Sequence, residues 1–241
     1  LVEYQITEGV KGLIPLGSTG EFLSVSREER QGIVETVIRA ARGRVPVLIG
    51  TGAEDTREVV ALSREAEAQG ADGVMIIPPF YSVPTEDELF HHYKTVADAI
   101  GIPIMVYNNP ATSNVDMLPA TLARISTIPN CRYVKESTLE VTRVRDIVAL
   151  CGDRMEVFAG VLGYESAWLG AIAGVATSTA MAARIPYRSI IFLPVEKLIP
   201  RRALRRRSAQ CLAIPAPKPA HPARARAGAA GAAGPYPCPS A

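Results

Sequence analysis

Residues 12–42, GLIPLGSTGEFLSVSREERQGIVETVIRAAR, decide the fold class. The stretch opens with an apolar run at residues 12–16, which predicts a buried strand, and continues into a glycine-containing loop. Ser26 and Glu29 then predict a capping box, in which each side chain bonds the backbone N–H of the other, at the start of a helix over residues 27–42. The stretch is therefore predicted to be one strand–loop–helix unit of the kind that builds parallel sheets.

Six more short apolar runs follow, and helical patterns separate most of them. The runs are continuously apolar rather than alternating, which indicates a parallel sheet covered on both faces. Repeated strand–helix units favour an α/β fold of the (β/α)8 TIM-barrel type. A doubly wound open sheet is the competing fold, but no strand is followed by the glycine fingerprint of a dinucleotide site. The seven predicted strands span residues 12–16, 45–50, 73–78, 102–108, 132–137, 156–160 and 174–179.

The two ends of the sequence differ from these units. Residues 1–10 resemble the end of a helix with no strand before it, so we expect the first βα unit of the barrel to be absent. From about Arg201 the sequence is rich in Ala, Pro, Arg and Gly, and eight of the 19 prolines lie from Pro200 onward. Such a segment buries too little apolar surface to offset its ordering entropy. We expect an incomplete TIM-barrel catalytic domain over residues 1–185, then a degenerate helical start and a disordered or aberrant tail over residues 186–241.

Charge is distributed unevenly along the chain. Nine basic and no acidic residues follow Glu196, so the first 196 residues carry a net charge of −7 within a total of +2. The barrel is therefore not expected to bind nucleic acid, although a polybasic arm for nucleic acid or membranes is an alternative for the tail. No apolar run approaches the roughly 20 residues of a transmembrane helix, so no membrane partner is expected. The four scattered cysteines form no CxxC pattern, which favours a cytoplasmic protein without a disulfide framework.

One lysine carries the most specific chemical prediction. In RYVKES, residues 132–137, the alternation of a strand places Tyr133, Lys135 and Ser137 on one face and Glu136 on the other. A lysine on the inner face of a barrel strand is costly to bury in its charged form, so its pKa is expected to fall. The resulting neutral amine is a nucleophile that can form an imine with a 2-keto acid. The alternative is a lysine at the strand end that extends to solvent.

Other candidate residues carry weaker signals when each is taken alone. The loop over residues 17–21 could hold a carboxylate with its backbone N–H groups, or be a tight turn without a ligand. Tyr107 ends a predicted strand, where it could transfer protons or simply line the wall. His91 and His92 are adjacent on a predicted helix and point in different directions, so we expect no metal site there, and side chains that face solvent or a partner.

Taken in chain order, five motifs resemble the dihydrodipicolinate synthase and N-acetylneuraminate lyase superfamily. They are GSTGE, PPFYSVPT, VYNNP, YVKES and FAG, all between residues 12 and 180. The resemblance implies a barrel that assembles as a homodimer or homotetramer and needs neither a metal nor an organic cofactor. It also implies that Lys135 forms a Schiff base with pyruvate or another small-molecule 2-keto acid, while Tyr107 moves protons near the imine.

The resemblance assigns further roles residue by residue. Ser18 is implied to take part in a proton relay with Tyr107, and Tyr81 to complete that relay from a neighbouring subunit. Thr19 is implied to lie near the substrate carboxylate. The remaining substrate-binding positions that the resemblance implies are Gly17, Gly160, Ala176 and the position of Thr112.

Thr112 is a departure from the motif of the true synthases. They carry an arginine two residues after the proline of the tyrosine motif, where it binds the carboxylate of the second substrate. A neutral threonine cannot form that bidentate ion pair. An aldolase or dehydratase for a 2-keto-3-deoxy sugar acid is therefore preferred over a 4-hydroxy-tetrahydrodipicolinate synthase. An inactive, truncated remnant is the alternative from a different class.

Overall fold

The computed structural model describes residues 1–176 and 189–193. In these ranges the strands form one sheet in which every neighbouring pair is parallel. All seven predicted strands are present, and one further strand follows them. The strands are β1 (Gly12–Pro15), β2 (Leu48–Gly50), β3 (Gly73–Ile76), β4 (Ile104–Asn108), β5 (Cys131–Glu136), β6 (Glu156–Ala159), β7 (Ala173–Ala176) and β8 (Ser189–Leu193).

The sheet closes on itself. Its order is β1-β8-β7-β6-β5-β4-β3-β2, so β1 and β2 are the two ends of the paired series. Leu13 of β1 forms a parallel bridge with Val47, and its N–H donates to the carbonyl of Pro46 at 3.0 Å, which joins these ends. The α/β barrel predicted from the sequence is therefore confirmed, and the open sheet is excluded.

The eighth strand corrects the expectation that a degenerate helix follows residue 185. A strand preceding β1 would lie between β1 and β7, because successive strands of such a barrel are neighbours. That position is occupied by β8, which pairs with both. Residues 186–241 were expected to begin with a degenerate helix, yet SIIFL at residues 189–193 is a strand. Its run of β-branched and aromatic residues suits a parallel strand. The expected disorder from Arg201 onward lies outside the described residues.

Helices alternate with the strands, and local sequence signals fix where the longer ones begin. Two begin with complete capping boxes, formed by Ser26 with Glu29 and by Thr85 with Glu88. A third begins at Asp55, whose side chain accepts from the N–H of Arg57 at 2.8 Å. The helices are α1 (Val2–Thr7), α2 (Arg27–Ala41), α3 (Thr56–Ala68), α4 (Glu86–Ala97), α5 (Pro110–Ser113), α6 (Pro119–Ile125), α7 (Thr142–Cys151) and α8 (Gly163–Trp168).

Alternation along the strands separates two apolar clusters. The larger lies between the strands and the helices and includes Leu13, Ile49, Val74, Val106 and Val134. The smaller fills the barrel interior and consists of the buried side chains of Ile14, Leu48, Met75, Ile77, Met105, Tyr107 and Phe158. A polar side chain on an inward-facing position is therefore surrounded by apolar groups, and this makes the position of Lys135 on β5 informative.

One of the two adjacent histidines differs from expectation, since His91 is exposed as expected whereas His92 is not. His92 is buried rather than facing solvent, and its Nδ1 lies 2.8 Å from the Thr56 hydroxyl. It occupies the buried face of α4 together with Leu89, Tyr93 and Val96. This face packs against α3 and β3, since His92 contacts Thr56 and the Tyr93 hydroxyl donates to the Ile76 carbonyl. Burial lowers the pKa of His92 to about 4. In the described ranges, no helix combines the length and apolar character needed to cross a bilayer.

Candidate active site

Lys135 points into the barrel from near the carboxyl end of β5. The alternation predicted for this strand is confirmed, since Val134 joins the outer cluster and Tyr133 packs against the inner one. Glu136 also points away from Lys135. Its two carboxylate oxygens accept from Asn108 Nδ2 at 2.9 Å and from the N–H of Thr138 at 2.7 Å.

The surroundings of the Lys135 amine favour its neutral form. The side chain is only 3% exposed, and desolvation lowers the pKa of Lys135 well below its usual value. Its Nζ lies 3.7 Å from the centroid of the Tyr107 ring. A ring face attracts a cation and so opposes this effect, but burial in an apolar interior is the larger influence. The geometry thus places a desolvated amine against an aromatic wall.

Tyr107 lies directly across from Lys135, because the two residues are in register on β4 and β5. The tyrosine is 4% exposed, and its Oη accepts a hydrogen bond from Asn109 Nδ2 at 2.8 Å. Because Asn109 occupies an acceptor position, the hydroxyl hydrogen of Tyr107 must point elsewhere. The hydroxyl can therefore donate a proton to, or share one with, a group in the barrel mouth.

The glycine loop lies over the same end of the barrel. After Leu16, at φ 60°, the chain makes a 3-10 turn over Ser18–Gly20, and Glu21 follows at φ 51°. Gly17 and Ser18 line a narrow cleft together with Tyr107. Thr19 lies at the next, exposed position of the turn. The structure therefore brings Ser18 and Gly17 to the tyrosine that contacts Lys135.

Gly160 borders the lysine from the next strand. A Cβ at this position would lie 1.8 Å from Ser137 Oγ and 3.0 Å from Lys135 Cε. The N–H of Gly160 donates to the carbonyl of Glu136 at 2.7 Å, which holds the two strand ends together. Only a residue without a side chain fits here without displacing a neighbour of the amine.

Three predicted residues lie further from this arrangement. The ring of Tyr81 is 91% exposed on the loop between β3 and α4, so the structure does not bring it to Lys135 of its own chain. Thr112 lies on α5, exposed, with its hydroxyl donating to the Asn109 carbonyl at 3.2 Å. Ala176 is the last residue of β7, paired with Ile191 of β8. It thus lies at the same end of the barrel as Tyr107.

A larger cavity opens at the opposite end of the barrel. Its lining includes Pro46, Asp72 and Pro103, each of which precedes a strand. Enzymes of this fold carry their chemistry at the carboxyl ends of the strands, where loops converge. Lys135, Tyr107 and Gly160 lie toward that end, so the candidate active site is at this end of the barrel, next to the narrow cleft that Tyr107 lines.

Comparison with known proteins decides the family. A profile of the Dihydrodipicolinate synthetase family matches residues 1–197. The chain belongs to this family. It is 46% identical over 151 residues to the 4-hydroxy-tetrahydrodipicolinate synthase of Acidiphilium cryptum, covering 63% of this chain and 52% of that one. It is 43% identical over 184 residues to the same enzyme of Nitrobacter hamburgensis, covering 73% and 62%. The chain thus spans roughly half to two thirds of the length of these relatives.

Solved structures support the same assignment. The chloride-inhibited dihydrodipicolinate synthase of Acinetobacter baumannii, complexed with pyruvate, is similar with a TM-score of 0.73 and 32% identity over 76% of this chain and 66% of that one. The dihydrodipicolinate synthase of Aquifex aeolicus is similar with a TM-score of 0.72 and 29% identity over 87% and 70%. Membership of the dihydrodipicolinate synthetase family therefore rests on both sequence and fold.

The structure adds side chains that the sequence prediction missed. Asn109 bonds the Tyr107 hydroxyl, and the only signal for it was its place two residues after that tyrosine. Ser137 was predicted to share the Lys135 face but was given no role. Its Oγ is buried beside Gly160 and has no hydrogen-bond partner among the described residues. Glu54 was not considered, and it proves to bond the loop that carries Tyr81.

Proposed function

We propose that this member of the dihydrodipicolinate synthetase family is a lyase that binds a 2-keto acid through a Schiff base on Lys135. The observation that carries the proposal is the buried amine, with its lowered pKa, against the Tyr107 ring. A family relative has been solved in complex with pyruvate, which supports a 2-keto acid as the ligand. The substrate is either pyruvate itself or a 2-keto-3-deoxy sugar acid, which the enzyme cleaves or dehydrates.

In the proposed first step, Lys135 Nζ attacks the C2 carbonyl carbon. The C–N bond forms, two protons reach the former carbonyl oxygen, and this oxygen leaves as water to give the imine. Both protons come from the amine, and the Tyr107 hydroxyl, whose hydrogen is directed away from Asn109, serves the later proton transfers. In the loop, Gly17 and Thr19 bind the substrate carboxylate, and Ser18 takes part in the proton relay. Gly160 and Ala176 border the substrate with their backbones.

In the proposed second step, the imine acts as an electron sink. For a sugar acid, Tyr107 takes the proton of the C4 hydroxyl, the C3–C4 bond breaks, and an aldehyde leaves the enamine. The enamine is then protonated at C3, and water releases pyruvate from Lys135. If the imine instead loses a C3 proton to give the enamine, and the C4 hydroxyl then takes up a proton and leaves as water, the enzyme is a dehydratase.

There are two candidate reactions, and a different observation favours each. Thr112 is neutral and exposed where a carboxylate-binding arginine would be needed, which favours a sugar-derived acid over aspartate semialdehyde. The relatives at 42–46% identity are named 4-hydroxy-tetrahydrodipicolinate synthases, which favours condensation of pyruvate with that semialdehyde. Both reactions should be assayed with the same folded sample. Turnover of the sugar acid alone would favour the first reaction, and efficient condensation of pyruvate with aspartate semialdehyde would favour the second.

We also propose that the chain associates with itself. Leu23, Tyr81 and Val83 are 70%, 91% and 74% exposed. Leu23 and Tyr81 follow Phe22 and Phe80, whose rings are 6.1 Å apart, so these exposed apolar groups lie on one side of the molecule. A second copy that covers them would form a homodimer or homotetramer and bring Tyr81 to the relay of its neighbour.

Proton exchange at C3 of pyruvate tests the imine proposal without any second substrate. An imine that converts to its enamine replaces the methyl hydrogens of pyruvate by deuterium in D₂O, which NMR measures directly. Exchange should depend on Lys135 and be lost in Lys135→Ala. Exchange that persists in Lys135→Ala would contradict the proposal, and absence of exchange in a folded sample would favour an inactive remnant.

A further inference from the structure

The loop that carries Tyr81 depends on one carboxylate. Residues 78–84 connect β3 to α4 and include three prolines, which have no N–H group to donate. The N–H groups of Phe80, Tyr81 and Ser82 all donate to the side chain of Glu54. The Ser82 hydroxyl donates to the same carboxylate at 3.3 Å. Three consecutive backbone donors and one hydroxyl therefore converge on a single side chain.

Glu54 is itself held in place from both sides. It lies two residues after Gly52, where a Cβ would lie 2.6 Å from Ile77 Cγ2, so the segments that follow β2 and β3 approach closely just before it. It precedes Asp55, which caps the start of α3. The carboxylate is thus presented from the junction between a barrel strand and a helix, which is a more rigid support than the proline-containing loop.

The ring of Tyr81 has little else to fix it. It is 91% exposed, so its direction is determined by the backbone to which it is attached. Phe80 contacts the barrel through its edge-to-face packing with Phe22, which anchors the residue before it. The N–H of Tyr81 donates to Glu54 Oε1 at 2.5 Å. Hydrogen bonds to a carboxylate are stronger than those between neutral groups, and two oxygens offer four acceptor sites.

We infer that Glu54 is a positioning residue, which holds the loop over residues 80–82 so that Tyr81 projects to where it completes a proton relay. This inference rests on the proposed function, because only a Schiff-base enzyme needs that relay. Glu54 touches no substrate and acts through Tyr81. Glu54 therefore affects the proton-transfer steps and leaves formation of the imine on Lys135 largely unchanged.

The test uses the full chain and the variant Glu54→Gln. Glutamine keeps the length of the side chain but loses the charge and replaces one acceptor oxygen by an N–H₂ group, which repels the loop N–H groups. Residues 78–84 carry four backbone N–H groups, and three of them donate to Glu54. Hydrogen exchange measured on this peptide should be at least about tenfold faster in the variant. Glu58→Gln, an exposed glutamate on the adjoining helix that pairs with Arg27, is the matched control and should leave exchange and activity unchanged.

Activity then shows whether Glu54 acts through the tyrosine. Turnover should fall by about tenfold or more in Glu54→Gln, while pyruvate trapping by borohydride changes less than about twofold. In a Tyr81→Phe background the same substitution should cause no further loss of turnover. Unchanged hydrogen exchange in Glu54→Gln would overturn the inference. An equal loss of turnover with and without the Tyr81 hydroxyl would overturn it as well.

The exchange measurement separates this inference from the proposed function. If the unsubstituted chain traps no pyruvate, the proposed function fails, whereas the exchange rates still decide whether Glu54 fixes the loop. If trapping succeeds and the loop exchanges equally fast in both proteins, the proposed function stands and the role of Glu54 is refuted.

Discussion

At the scale of single residues, the proposed chemistry rests on a pair of side chains from neighbouring strands. Lys135 and Tyr107 are in register, and the amine lies 3.7 Å from the ring centroid. Burial is costly for a charged lysine, and it lowers the pKa of Lys135, which favours the neutral, nucleophilic form of the amine. A residue that breaks the apolar pattern of a barrel interior is thus a candidate for function rather than for stability.

Tyr107→Phe separates formation of the imine from the later proton transfers. The variant keeps the ring against Lys135 and removes only the hydroxyl that bonds Asn109. A general acid–base group contributes about 10²–10⁴-fold in rate, so turnover should fall by that range. Pyruvate trapping should fall much less, and Ser18→Ala should show a milder loss of turnover. Equal losses of trapping and turnover would instead assign Tyr107 to imine formation, and no loss of either would reduce it to a wall residue.

At the scale of elements, two glycines make a matched comparison. Gly32 lies in the middle of α2, where an added Cβ would have no atom within 4 Å, whereas a Cβ at Gly160 would lie 1.8 Å from Ser137 Oγ. Gly32→Ala should raise the free energy of unfolding by about 0.5–1 kcal/mol and keep full trapping. Gly160→Ala should lower the rate of trapping by about tenfold or more, because Ser137 and Lys135 must move.

Urea unfolding and borohydride trapping on the same two samples provide the measurement. Trapping at the normal rate in Gly160→Ala would show that the amine tolerates displacement of its neighbours. A loss of trapping in Gly32→Ala would show that the assay responds to changes far from the barrel mouth.

The packing of α4 against α3 predicts how stability depends on pH. Burial lowers the pKa of His92 from 6.5 to about 4, so the unfolded chain takes up the proton first on acidification. Stability contributed by the neutral ring is present above pH 6.5 and is lost as pH falls toward 4, by about 3 kcal/mol. His92→Gln should remove this part of the pH dependence in urea unfolding. Parallel pH profiles for the two proteins would contradict the assignment.

At the scale of the whole molecule, the sequence predicted the barrel, its first seven strands and the inward face of β5. These depend on local signals, such as the apolar runs and the alternation around Lys135, which tertiary contacts reinforce. The position of β8 could not be predicted, because a five-residue apolar run has no local property that selects its neighbours in a sheet. The burial of His92 and the bonds of Glu54 depend on residues from other elements, so no pattern within their own segments reveals them.

Ring closure also bears on the activity of a chain that spans only part of its relatives. An incomplete barrel was expected to leave two unpaired strand edges, which invite aggregation. Among the described residues, β1 and β7 instead both pair with β8. The strands that carry Tyr107, Lys135 and Gly160 lie on the other side of the ring and are contiguous with one another. This part of the candidate site therefore does not depend directly on β8, whereas the loop with Ser18 follows β1 and Ala176 lies on β7, and both of these strands pair with β8.

Borohydride reduction in the presence of pyruvate tests the central claim most directly. If Lys135 forms the imine, the peptide that contains Lys135 gains one reduced pyruvyl group, which mass spectrometry locates. Lys135→Ala should abolish the adduct, while Lys94→Ala, which removes an exposed lysine paired with Asp98, should leave it unchanged. Labelling of another lysine with Lys135 unmodified, or no labelling of a folded sample, would contradict the account.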